Sequence, residues 1–129
     1  MRRNMIVIAT TAAAAFVGIL LTSQPAAAAP AARKVTITVK AVDAAPRTAT
    51  LTCAPAGGSH KSAAEACATL AAARGNPADI TPADIMCTME YAPVKVKVVG
   101  RWNGKTVRYS ETFSNNCRTS AEGGALFQL

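Results

Sequence analysis

Between Lys34 and Lys40 apolar and polar residues alternate, which places Val35, Ile37 and Val39 on one face of a strand and Thr36 and Thr38 on the other. Asp43 to Pro46 interrupts the pattern, and Thr48 to Cys53 resumes it, so two strands joined by a short connection are predicted. Ala54 to Lys61, with Pro55, Gly57 and Gly58, reads as a loop. A helix then begins at Ser62, an N-cap residue with Glu65 three positions on as in a capping box, and Ala66, Leu70 and Ala73 follow at helical spacing. Gly75, Asn76 and Pro77 end it. Farther on, Val94 to Val98 alternates, Asn103-Gly104 supplies a two-residue turn, and Val107, Tyr109 and Phe113 continue on the returning strand of a hairpin. Cys117 to Gly124 has room for a helical turn, and Ala125 to Leu129 reads as a final edge strand.

Residues 77 to 93 have neither period. They carry Pro77, Pro82 and Pro93 yet hold Ile80, Ile85, Met86, Met89 and Tyr91, with Cys87 near the centre. Long structureless loops inside small domains are functional or disordered, and a cysteine pins this one, so function is expected here.

The amino-terminal pattern is different. Arg2 and Arg3 precede an apolar run from Met5 to Leu21, and an alanine tract ends near Pro30. This is the plan of a secretory leader, residues 1-28, with Ala26-x-Ala28 before the cut and a mature domain at 29-129. A membrane anchor needs about 20 apolar residues; this run includes Thr10 and Thr11. Of the 129 residues, 14 are basic and 7 acidic, and loss of Arg2 and Arg3 leaves a basic mature chain of one small domain. A large dinucleotide-binding enzyme, a multidomain receptor and a cytosolic metal protein are excluded on these grounds.

Export also decides how the four cysteines are read. Cys53, Cys67, Cys87 and Cys117 follow no usual zinc spacing, and an exported domain with a modest core gains from covalent staples, so two disulfides and no metal are expected. Three pairings are open. Cys53 with Cys67 would tie a strand end to the helix, leaving Cys87 for Cys117.

Enzyme chemistry finds little footing. His60 is the single histidine, in a Gly-Gly-Ser-His-Lys loop where it is expected to be solvated, and the seven acids are scattered. Lys95, Lys97, Arg101, Lys105 and Arg108 on the hairpin invite a nucleic-acid reading. Alternate positions of a half-buried hairpin must be polar in any case, so a solvated face is expected, with no nucleic acid bound.

Several segments together carry a resemblance: Leu51-Thr-Cys-Ala-Pro55, Met86-Cys-Thr-Met-Glu-Tyr-Ala-Pro93, Trp102-x-Gly104-Lys105, Tyr109 and Phe113-Ser-Asn-x-Cys117. In order and spacing the chain resembles the Streptomyces subtilisin inhibitor family over about residues 33 to 129. The resemblance implies an α+β domain, a five-stranded antiparallel sheet with two helices packed on it, and disulfides Cys53 to Cys67 and Cys87 to Cys117. It implies a secreted inhibitor of subtilisin-like serine proteases, with chymotrypsin- or trypsin-like enzymes as further targets. The reactive site would be Met89-Glu90, with Met86, Cys87, Thr88 and Tyr91 contacting the protease. No cofactor, metal, catalytic residue or membrane is implied for the mature chain, and a homodimer through a sheet face is.

Two positions depart from the family pattern. Thr88 stands where proline is common and Glu90 where a small or apolar residue is usual, while Lys95 and Lys97 would bring like charges near a two-fold axis. The alternative reading is a secreted basic module binding an anionic polymer or protein, and a small enzyme comes third.

Overall fold

The computed structural model describes residues 23–26, 29 and 31–129. The apolar run and most of the leader lie outside the described residues. Five strands form one antiparallel sheet: β1 (Arg33–Ala41), β2 (Arg47–Thr52), β3 (Gly57–Gly58), β4 (Val94–Trp102) and β5 (Lys105–Phe113), in the order β3-β2-β1-β4-β5. The long strands are those that alternate in sequence. Val35, Ile37 and Val39 of β1 and Val94, Val96 and Val98 of β4 point to one buried face, and the intervening lysines and threonines point away. Asn103 and Gly104, both at positive φ, make the tight turn between β4 and β5 whose twist suits a hairpin.

Helix α1 (Ala63–Ala72) and helix α2 (Asn116–Gly123) lie with the carboxyl-terminal residues over the apolar face of the sheet. Ala66 and Leu70 of α1 and Leu126 and Phe127 near the chain end complete the core with Val35, Ile37, Leu51 and Trp102. Helix α1 stops in a paired carbonyl-capping arrangement: the Gly75 N–H donates to the Leu70 carbonyl and the Arg74 N–H to that of Ala71. Arg74, not glycine, takes the left-handed position, at φ +54°, which costs an L-residue about 1 kcal/mol. Gly75 follows at φ +81°, where a Cβ would overlap the Trp102 indole.

Four expectations need correction. The fifth strand is not Ala125 to Leu129; Gly124–Phe127 is a short 3-10 turn that turns Leu126 and Phe127 into the core, where Phe127 stacks 5.8 Å from Tyr109. The edge is instead β3, inside the segment read as a loop, and two glycines are too short a run to show a period. Ser62 precedes α1 without capping it by its side chain, because the His60 Nδ1 accepts the Ser62 N–H and no box with Glu65 forms. His60 itself is not solvated: 4% exposed, it donates from Nε2 to the Leu126 carbonyl, so the ring is a buried cross-link between the β3 segment and the chain end.

Both disulfides, Cys53–Cys67 and Cys87–Cys117, are formed, with Cα separations of 5.6 and 5.7 Å. The first fastens the end of β2 to α1, and the second fastens the long loop to α2.

Candidate functional site

From Ile80 to Pro93 the chain has no helix or strand. Proline punctuation and the lack of a period explain why, since neither a ladder nor a helical stripe can form. Ile80 packs against the core, but the apolar side chains farther along face water: Met86 is fully exposed, Met89 98% and Tyr91 79%. Burying such a side chain is worth about 1.5–3 kcal/mol. An apolar row left exposed on a rigid support therefore marks an interaction surface.

The support comes almost entirely from one segment, Ser114 to Ala121. The Ala92 N–H donates to the Ser114 carbonyl at 2.8 Å, Cys87 is bonded to Cys117, and the Ala83 N–H donates to the Ala121 carbonyl at 2.8 Å. Between these, the buried Asn115 gives its side-chain N–H groups to the Thr88 carbonyl at 3.1 Å and the Glu90 carbonyl at 2.8 Å. Its Oδ1 accepts the Arg118 N–H at 2.9 Å, which caps α2 and fixes the orientation of the amide. From the sheet, the Val42 N–H donates to the Pro93 carbonyl, closing the downstream end of the loop.

Met86, Cys87, Thr88, Met89, Glu90 and Tyr91 thus lie together on one exposed segment. The peptide carbonyls before and after Met89 are held, while among the described residues no hydrogen bond engages the Met89 carbonyl itself. Beneath the segment is a recess of about 450 Å3 between the loop and Ser114 and Arg118. The Arg118 guanidinium there pairs with Glu122 at 2.6 Å. Burial, and then the Glu111 and Glu122 carboxylates, raise the Tyr109 phenol above its ordinary value, but Tyr109 packs on Phe127 and does not line the recess.

Asn115 entered the sequence reading only as a letter in Phe-Ser-Asn-x-Cys, and its reach across 25 residues to the loop had no local signal. Among the described residues no three His, Cys, Asp or Glu side chains gather where they could hold a metal ion, and no helix is long and apolar enough to cross a membrane.

A family model described as subtilisin inhibitor-like matches residues 20–115. The chain belongs to the subtilisin inhibitor-like family. It is 50% identical over 90 residues to a subtilase-type protease inhibitor of Streptomyces coelicolor, covering 67% of this chain and 62% of that protein. To a subtilisin inhibitor of Streptomyces albogriseolus it is 48% identical over 92 residues, covering 69% and 64%. The match thus spans somewhat under two thirds of the length of these two relatives. Streptomyces caespitosus sermetstatin, solved in complex with Bacillus licheniformis subtilisin, superimposes with a TM-score of 0.59 at 31% identity, covering 78% of this chain and all of that one. The reading of the chain as a basic module in place of an inhibitor finds no support in these relatives.

Proposed function

We propose that the protein is a secreted inhibitor of subtilisin-like serine proteases that offers residues 86 to 91 as a substrate-like strand, with Met89-Glu90 as the scissile bond. The observation that carries this reading is Met89 itself, 98% exposed on a backbone held at both neighbouring carbonyls by one buried amide. An extended segment binds a protease as an added strand, and affinity depends on how little freedom is left to lose. Met89 would fill the primary pocket, where a flexible thioether suits a wide apolar slot, and Met86 and Tyr91 would fill neighbouring subsites.

The chemistry follows from the tethers. The protease serine attacks the Met89 carbonyl, which no internal hydrogen bond obstructs, and expels the Glu90 amine. In a free peptide that amine diffuses away. Here Asn115 on the Glu90 carbonyl and Ser114 on the Ala92 N–H would keep it beside the acyl group, so rejoining competes with hydrolysis. Glu90 adds a carboxylate on the leaving side, which makes the choice among subtilisin-, chymotrypsin- and trypsin-like enzymes depend on the charge of their leaving-side surface. The lack of proline at Thr88 is offset by the hydrogen bond on its carbonyl.

Secretion belongs to the same proposal and rests on the leader pattern of residues 1-28, with maturation near Ala29. A homodimer through the solvent face of the sheet is supported by the family pattern. Against it stands the register of β1 and β4, which sets Lys40 directly beside Lys95, so any such dimer weakens as salt is lowered.

The purified mature domain is expected to titrate subtilisin to zero activity at one chain per active site. Full protease activity at micromolar inhibitor would falsify the proposal.

A further inference from the structure

At the turn end of the β4–β5 hairpin, Arg33, Arg74 and Lys105 line one recess of about 270 Å3, walled by Trp102 and Asn103. They come from three separate elements: the start of β1, the cap of α1 and the start of β5. Of the basic residues that stand out along the hairpin in the sequence, Lys105 belongs to this recess, whereas Lys95 and Lys97 lie toward the loop end of β4.

Of the three, Arg33 is held in place by its neighbours. The Arg33 guanidinium lies 5.2 Å from the centre of the Trp102 ring, and its Nε donates to the Asn103 Oδ1 at 2.6 Å, while among the described residues no hydrogen bond engages its terminal amino groups. Arg74 occupies a left-handed backbone position that favours glycine, so a long cationic side chain is kept there against local preference. A second hollow shares Arg74, Trp102 and Lys105 and adds Arg108. Among the described residues no acidic side chain lines either hollow, and the ion pair found among them, Arg118–Glu122, lies elsewhere. Nearby on the sheet, Lys34 stands directly across from Arg101, another unfavourable like-charge pairing.

We infer that this recess binds a tetrahedral oxyanion, a phosphate or sulfate group. Planar guanidinium forks match such oxygens, and an anion relieves the mutual repulsion of the cations. A stacking site for nucleic-acid bases does not fit, because Trp102 is 5% exposed and its ring is already covered by Arg33. Val94 begins β4 where the exposed loop ends and Trp102 closes it, so the recess lies about 25–30 Å along the strand from the Pro93 end of the loop, and both ends of β4 can be occupied together.

The test compares the mature protein with Arg33→Gln/Arg74→Gln/Lys105→Gln and, as a charge-matched control, Lys40→Gln/Lys95→Gln/Lys97→Gln. Thermal melts in millimolar phosphate or sulfate, against chloride of equal ionic strength, read a free anion. Salt elution from immobilised heparin reads the same group carried on a polymer. A melting-point rise in phosphate or sulfate, or tighter retention on heparin, that the first triple variant loses and the control keeps supports the site and tells its two sources apart. The expected loss on heparin is roughly tenfold or more in affinity at low salt. Equal loss in both variants means a response to net charge alone and overturns the inference, as does no response in either assay. Tighter retention on immobilised duplex DNA than on heparin also overturns it. These measurements need no protease, so they stand or fall apart from the inhibitor reading. Subtilisin titration by heparin-bound protein is expected to be unchanged, and its loss would refute the placement of the recess away from the loop.

Discussion

The side-chain amide of Asn115 stands 2.8 Å from the Glu90 carbonyl, joining a buried helix cap to the exposed loop. The same amide holds the Thr88 carbonyl, and its oxygen caps α2 through Arg118. One side chain therefore couples the stability of α2 to the shape of the loop. The two functions separate by substitution, because serine caps a helix nearly as well as asparagine but has no amide to reach the loop. Asn115→Ser is expected to melt within a few degrees of the native protein while inhibiting subtilisin roughly tenfold to a hundredfold more weakly, the scale of two hydrogen bonds. Inhibition as tight as native, with the cap intact, would show that the loop does not depend on this amide.

The disulfide from Cys87 to Cys117 closes a 30-residue separation. In the chain-entropy model such a link is worth about 3–4 kcal/mol. On the proposed cleavage between Met89 and Glu90, its larger effect would be to tie the acyl side of that bond to the segment that holds the amine side. Cys87→Ser with Cys117→Ser is expected to be consumed by subtilisin, with protease activity recovering as fragments accumulate in a mass spectrum. A variant that stays intact and inhibits as long as the native chain assigns the bridge to folding alone.

Much of this organisation was legible in the chain because its strands bury one face. Val35, Ile37, Val39, Val94, Val96 and Val98 alternate for that reason, and Asn103-Gly104 marks its turn through backbone demands that few other residues meet. The loop from 80 to 93 showed itself by lacking a period while keeping apolar residues. What stayed hidden depends on contacts distant in sequence. His60 looks solvated among glycines, yet its two ring nitrogens meet Ser62 and Leu126 only after the chain end folds back. Ala125 to Leu129 carries strand-like composition, but Leu126 and Phe127 gain more by filling the gap between α1 and the sheet than by pairing at its edge. Asn115 was hidden in the same way, as a polar letter whose partners are backbone carbonyls 25 and 27 residues away.

Gly75 tests the frame apart from the loop. A Cβ there would collide with Trp102, and φ is +81°. Gly75→Ala must strain the backbone, displace the indole, or both, at a combined cost of about 2–4 kcal/mol. The melting temperature should fall by several degrees or more, measured by circular dichroism. Titration of subtilisin well below that temperature should remain stoichiometric, since Trp102 and the loop lie at opposite ends of β4. An unchanged melting temperature would mean that the turn after α1 relaxes without moving Trp102.

Met89→Lys tests which residue enters the protease pocket. A pocket with an acidic base rewards a buried ammonium, while an apolar pocket must desolvate the same charge without a partner. Inhibition is therefore expected to shift toward trypsin-like enzymes and to weaken against subtilisin, by about 2 kcal/mol or more if the ammonium is fully desolvated. The fold should not respond, because Met89 is 98% exposed and contributes nothing to the core. The same exchange at Met86, which is equally exposed, provides the comparison. If Met86→Lys redirects inhibition toward trypsin and Met89→Lys does not, the scissile bond lies elsewhere on the loop. Equal inhibition of both proteases by native and Met89→Lys protein, with unchanged circular dichroism, leaves Met89 outside the pocket and removes the basis for cleavage before Glu90.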